Sequence, residues 1–129
     1  MPALKPPTAT TILIVDDDPP FRRAAAELLT DRGFRVVGYA GTAEEAVSES
    51  RRLGPDALLL DVRLPDGNGV ALVTTLRAVT APPVIILTSS DPVAVPPERL
   101  RASGASAFIP KSQLAHSDLQ TLLADEARG

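Results

Sequence analysis

The chain has 129 residues, no cysteine, 13 prolines, 44% hydrophobic residues and a formal net charge of −3. That length suits about one domain, able to bury roughly two-thirds of its unfolded surface without staples, and the missing thiols exclude disulfides and thiolate or zinc-thiolate chemistry. With three Phe, one Tyr and one His the surface lacks the basic and stacking groups that nucleic acid needs, and no apolar run approaches the ~20 residues of a membrane span, so a soluble, cytoplasmic domain is expected.

Residues 1–10 carry three prolines and no periodicity and read as a flexible tail; residues 11–129 read as the domain. A first strand is expected from Thr11 to Val15. Asp18-Pro19-Pro20 then offers an Asx cap and a first-turn proline for a helix to about Arg32. Phe21, Ala24, Ala25, Leu28 and Leu29 form its apolar stripe and Gly33 its stop. Phe34 to Tyr39 reads as a second strand. Thr42-Ala43-Glu44-Glu45 is a capping box for a helix that Gly54-Pro55 ends, with Ala43, Ala46, Val47 and Leu53 on its inner stripe.

Ala57-Leu58-Leu59-Leu60-Asp61 is a continuous apolar run entering a carboxylate, bounded by Gly54-Pro55-Asp56 and Pro65-Asp66-Gly67, and suits a strand buried on both faces of a parallel sheet. A third helix is expected over about Val70 to Val79, with Val73, Leu76 and Val79 inward, and a fourth strand over Val84 to Leu87. Ser89 to Val95 reads as loop. A short fourth helix follows from about Pro96-Pro97 to Ser103-Gly104, then a strand from Ser106 to Ile109 and a last helix opened by Ser117-Asp118 with Leu119, Leu122 and Leu123 inward. Alternating strands and helices with short joints imply parallel strands, right-handed crossovers and a three-layer α/β doubly wound sheet.

The strand ends carry the chemistry. Four apolar runs deliver Asp16-Asp17, Asp61, Thr88 and Lys111 to one edge, where ligands bind in open α/β sheets. Taken singly, the acids read as helix-cap or turn residues, Thr88 as a strand threonine and Lys111 as a turn lysine. Taken together, three carboxylates in one place repel unless a cation sits among them, and an oxygen-only set favours Mg2+, with Mn2+ as a substitute. Asp61 is then a candidate nucleophile for a phosphoryl group, with Lys111 and Thr88 supporting the charge on its oxygens.

Ile14-Val15-Asp16-Asp17-Asp18-Pro19, Leu60-Asp61-Val62-Arg63-Leu64-Pro65-Asp66-Gly67-Asn68-Gly69, Leu87-Thr88-Ser89 and Phe108-Ile109-Pro110-Lys111-Ser112 resemble the response regulator receiver domain family of two-component signalling, over roughly residues 10–127. The resemblance implies a flavodoxin-like (βα)5 fold with strand order 2-1-3-4-5 and a signalling protein rather than an enzyme. Asp61 would be the phosphoacceptor, with metal ligands Asp16, Asp17, Asp61 and the Arg63 backbone carbonyl. It further implies a Thr88–Phe108 switch with Lys111 bridging to the phosphoryl group, and a sensor histidine kinase or phosphotransfer protein as donor. A helix 4, strand 5, helix 5 face would meet an effector domain or a second copy. Ser112 stands where the family commonly has proline, and the short fourth helix implies an atypical output face.

Two other classes remain open at this level. The haloacid dehalogenase superfamily also combines a strand-end aspartate, magnesium, a hydroxyl and a lysine, but its nucleophile ends the first strand, and Asp16-Asp17-Asp18 runs on into Pro19-Pro20. A receiver-like module that works without phosphorylation is the third reading. His116 reads as a solvated turn residue, Gly67-Asn68-Gly69 as loop punctuation with no P-loop lysine after it, and the Arg22-Arg23 and Arg51-Arg52 pairs as solvated helix faces.

Overall fold

The computed structural model describes residues 10–78 and 81–128, with side chains as far as Leu123. The expected tail lies, but for Thr10, outside the described residues, as does Val79. Five parallel strands form one sheet: β1 Thr11–Val15, β2 Arg35–Ala40, β3 Ala57–Asp61, β4 Val84–Ser89 and β5 Ala107–Pro110. Their spatial order is β2-β1-β3-β4-β5, the order that the resemblance implies. The helices are α1 Pro19–Asp31, α2 Ala43–Leu53, α3 Gly69–Arg77, α4 Pro97–Ser103 and α5 Leu119–Arg128. None of the described helices is long and apolar enough to cross a membrane.

Strand alternation divides the core into two layers. Leu13, Val15, Leu58, Leu60, Ile85 and Leu87 face a cluster with Ala46 of α2 and with Val73 and Leu76 of α3. Ile12, Ile14, Leu59 and Ile86 face a second cluster with Ala25 and Leu29 of α1 and Leu119 and Leu123 of α5. All five residues of β3 and all six of β4 are buried, which explains their unbroken apolar runs. At the other end of the strands, Thr11 and Asp56 exchange bonds: the Thr11 N–H donates to Asp56 Oδ2 at 2.8 Å and the Asp56 N–H to Thr11 Oγ1 at 2.9 Å. This pair aligns the starts of β1 and β3, so their acidic ends emerge level.

Several element ends differ from expectation. Asp18 precedes α1 but makes no side-chain cap bond; Pro20, at the second helical position, has no N–H to offer it. Thr42 Oγ1 accepts from the Glu45 N–H at 3.0 Å, as a capping box requires. Glu45 reaches back one residue further, its Oε1 accepting from the Gly41 N–H at 2.8 Å. Strand β4 runs two residues beyond Leu87, so Thr88 and Ser89 belong to the sheet. Strands β2 and β5 each sit one residue later than expected, and α3 opens at Gly69, where Asn68 Oδ1 accepts from the Val70 N–H at 2.7 Å. Between β5 and α5 a 3-10 turn spans Lys111–His116, which the polar composition of that stretch did not signal. The Lys111–Ser112 bond is trans.

Two glycines are required for different reasons. Gly33 has φ 92° with open space around it, so only backbone strain opposes a side chain there. Gly69 has no such strain, but a Cβ on it would lie 2.2 Å from the Asp61 carbonyl oxygen. Gly69→Ala is therefore expected to cost ~2–4 kcal/mol by forcing backbone apart, whereas Gly33→Ala costs ~1 kcal/mol; urea unfolding of the two variants measures the contrast.

Candidate functional site

The two buried acids, Asp16 and Asp61, are placed by backbone bonds at the sheet edge. The Asp16 N–H donates to the Ala40 carbonyl of β2 at 2.9 Å, and the Val62 N–H donates to the Thr88 carbonyl of β4 at 2.9 Å. These bonds extend the sheet ladder beyond the ends of β1 and β3. Asp61 lies in register with Thr88. Ile14 pairs with Leu59 and Thr88 with Ile109, so the period-two alternation sends Asp16, Asp61, Thr88 and Lys111 toward the α1 and α5 side.

There the predicted acids converge. One carboxylate oxygen from each of Asp16, Asp17 and Asp61 lies within 4.8 Å of the others. Asp16 is completely buried and Asp61 nearly so, while Asp17 is exposed. Lys111 Nζ lies 2.7 Å from Asp16 Oδ2 and 3.6 Å from Asp61 Oδ2. The residues border a cavity of about 640 Å³ whose wall also includes Asp18, Arg63, Leu64, Pro65, Ser89, Ser90 and Asp91. A set of hard oxygen donors at this spacing, open to solvent through Asp17, fits a partly hydrated divalent cation.

The electrostatics are set by burial. Loss of water around Asp61 and the adjacent Asp16 charge push its pKa up to about 6, against the pull of the Arg63 N–H, which donates to Asp61 Oδ1 at 3.2 Å, and of Lys111. Burial opposes the charge on Lys111 as well. Its bond to Asp16 and the field of Asp61 outweigh that cost and raise its pKa.

Thr88 is fully buried, and its Oγ1 has no hydrogen-bond partner among the described residues. A buried hydroxyl left so costs ~1–3 kcal/mol, and a new acceptor beside Asp61 would satisfy it. Phe108 is half-buried in register with Leu87 and packs with the α2–α3 layer. It thus occupies the face opposite to that of Thr88.

Other residues in and around the site escaped sequence reading. Ser89, the last residue of β4, and Ser90 just beyond it line the cavity, whereas the sequence singles out only Thr88 at this strand end. The Arg22 guanidinium donates to the Asp16 carbonyl at 2.8 Å, although its helical position suggested a solvated face. Asp66 accepts from the Ala43 and Glu44 N–H groups at 2.7 and 3.1 Å. These bonds hold its carboxyl below the usual range and cap α2 from a distant loop. No local pattern reports such a long-range cap.

Residues 12–124 match the family model of the response regulator receiver domain, and the chain belongs to that family. It is 31% identical over 90 residues to the transcriptional regulatory protein PdtaR of Mycobacterium tuberculosis, covering 70% of this chain and 43% of that protein. It is 34% identical over 93 residues to a protein-glutamate methylesterase/protein-glutamine glutaminase of Idiomarina loihiensis, covering 70% of this chain and 24% of that protein. The chain therefore matches 24% to 43% of the length of these curated relatives. Among solved structures it is similar to a LuxR-family two-component response regulator from Aurantimonas, with TM-score 0.81, 26% identity and coverage of 91% of this chain and 86% of that one. It is also similar to the CheY-like receiver domain from Methylobacillus flagellatus, with TM-score 0.77, 26% identity and coverage of 88% and 98%.

The raised pKa of Asp61 has a stability consequence. Its folded-state value, about 6, lies above the ordinary 3.8, so the folded state binds this proton more tightly than the unfolded chain does. The metal-free domain loses stability from this group as pH rises from about 4 to about 6. Asp61→Asn removes that loss and is expected to stabilise the metal-free domain by ~1–3 kcal/mol at pH 7.5, with the advantage vanishing below pH 4. Denaturant melts at pH 4, 5.5 and 7.5 check it.

Proposed function

We propose that this receiver domain accepts a phosphoryl group on Asp61 in a reaction that needs Mg2+, with Mn2+ able to substitute. The observation that supports this most directly is the meeting of Asp16, Asp17, Asp61 and Lys111, which come from three separate strand ends, around one solvent-open cavity. Asp16, Asp17 and Asp61, with the Arg63 backbone carbonyl, would hold the cation. When bound, it supplies positive charge opposite the oxygens of the incoming group.

A carboxylate oxygen of Asp61 forms the new O–P bond as the P–N bond of a donor phosphohistidine breaks. The electron pair of that bond returns to the donor imidazole, and the product is an acyl phosphate. Lys111, already within 3.6 Å of Asp61, neutralises phosphoryl charge, and the unpartnered Thr88 hydroxyl donates to a phosphoryl oxygen. Phe108 lies on the other face of the sheet, so movement at Thr88 reaches it through the β4 backbone and its neighbour Leu87. The α4–β5–α5 surface then carries the change to an effector domain or a second copy. The donor is a sensor histidine kinase or a phosphotransfer protein, and the setting is the cytoplasm. The chain turns over no foreign ester; the only phosphate it releases is its own.

Mass spectrometry after exposure to a small phosphodonor and Mg2+ is expected to show one added phosphoryl group on the wild type, none on Asp61→Asn, and none after chelation. Steady turnover of a generic phosphate ester would overturn this reading in favour of a hydrolase. A failure of Mg2+ to raise the melting temperature would favour a module that works without phosphorylation. Thr88→Val is expected to leave the unphosphorylated domain at least as stable as the wild type, since it removes an unsatisfied buried hydroxyl. The same variant should lose the phosphorylation-dependent change in β5 amide resonances.

A further inference from the structure

Phe21 stands third in α1, directly after the two prolines that fix the first turn, and its spacing marks it as one residue of an apolar stripe. In the fold it has a second contact. Lys111 Nζ lies 4.2 Å from the centroid of the Phe21 ring, while Asp16 and Asp61 take the ammonium at 2.7 and 3.6 Å. The ring's negative face attracts a cation at this distance. The Lys111 side chain keeps only 18% of its exposure. Phe21 and Leu114, which lies on the same 3-10 turn as Lys111, both belong to the α1/α5 apolar layer. At the far end of α1 the Arg32 guanidinium donates to the Ser117 carbonyl at 2.5 Å and to that of Ala115. Helix α1 therefore holds the segment that carries Lys111 at both of its ends.

We propose that Phe21 is a positioning residue for the phosphoryl-transfer site: its ring fixes the Lys111 ammonium beside Asp61. The inference rests on the reading of Asp61 as phosphoacceptor. The charge logic is specific. Asp16 makes the shortest contact with Lys111, yet Asp16 is also a prospective ligand of the cation, and a carboxylate committed to a divalent ion attracts an ammonium less strongly. The attraction of the Phe21 ring does not depend on the charge state of Asp16. It keeps Lys111 beside Asp61 when the acids are otherwise engaged, and it replaces water that would draw the ammonium outward.

The test replaces Phe21 by mono-, di- and trifluorophenylalanine, which nearly preserve shape while draining charge from the ring face. Two quantities are read: the rate of Asp61 labelling by a small phosphodonor with Mg2+, and the chemical shift of the Lys111 ε-methylene protons. A graded loss of rate, about three- to tenfold across the series, with unchanged melting temperatures supports the proposal. So does an upfield ring-current shift of those protons that persists on adding Mg2+ and is lost in Phe21→Leu. A flat rate series in a protein that does label Asp61 overturns it, as does an unshifted Lys111. If the wild type takes no phosphoryl group, the reading of Asp61 fails, and the ring-current shift alone then decides whether the ring holds Lys111.

Discussion

The structure depends on how two buried carboxylates, Asp16 and Asp61, are tolerated at one edge of an otherwise apolar sheet. Neither has the water that would normally stabilise its charge, and each lies in the field of the other. One ammonium answers both, held by a turn that follows the last strand. Because Lys111 follows β5 while the acids stand at the ends of β1 and β3, the compensation needs the four strands from β1 to β5 across the sheet to be in register. Sheet order, the Thr11–Asp56 exchange and the close passage of Gly69 over Asp61 all serve this condition. Charge at the site is thereby coupled to the fold: the carboxylate that destabilises the domain is the one proposed to accept the phosphoryl group.

Much of this was legible along the chain, for a definable reason. Strands buried on both faces must be apolar throughout, so the first polar residue after each run marks the sheet edge, and the runs ending at Asp16, Asp61 and Thr88 advertise the site directly. Residues placed by long-range contact were not legible. Asp66 looks like a turn former because its partners lie on α2, more than twenty positions earlier. Arg22 looks like surface because nothing local reveals that its guanidinium turns toward the Asp16 carbonyl. Boundaries slipped where two signals competed, as at Ser89, whose hydroxyl suggests loop while the ladder with β5 keeps it in the sheet. Phe108 was legible as a neighbour of the site in sequence, but its face is decided by register with Leu87.

The cap that Asp66 provides gives the rim of the cavity a mechanical bias. The loop after Asp61 is tied midway to the first turn of α2 and closed at its end by the Gly69 N–H, which donates to the Val62 carbonyl at 2.7 Å, so displacing it means uncapping a helix. Across the cavity, the 90–94 stretch is held by hydrogen bonds within its own turn, from the Asp91 N–H to Ser89 and from the Val93 and Ala94 N–H groups to Asp91. Moving the first bank breaks long-range bonds to α2, whereas moving the second breaks bonds local to one turn, up to the point where Val95 anchors it in the α2/α3 core layer.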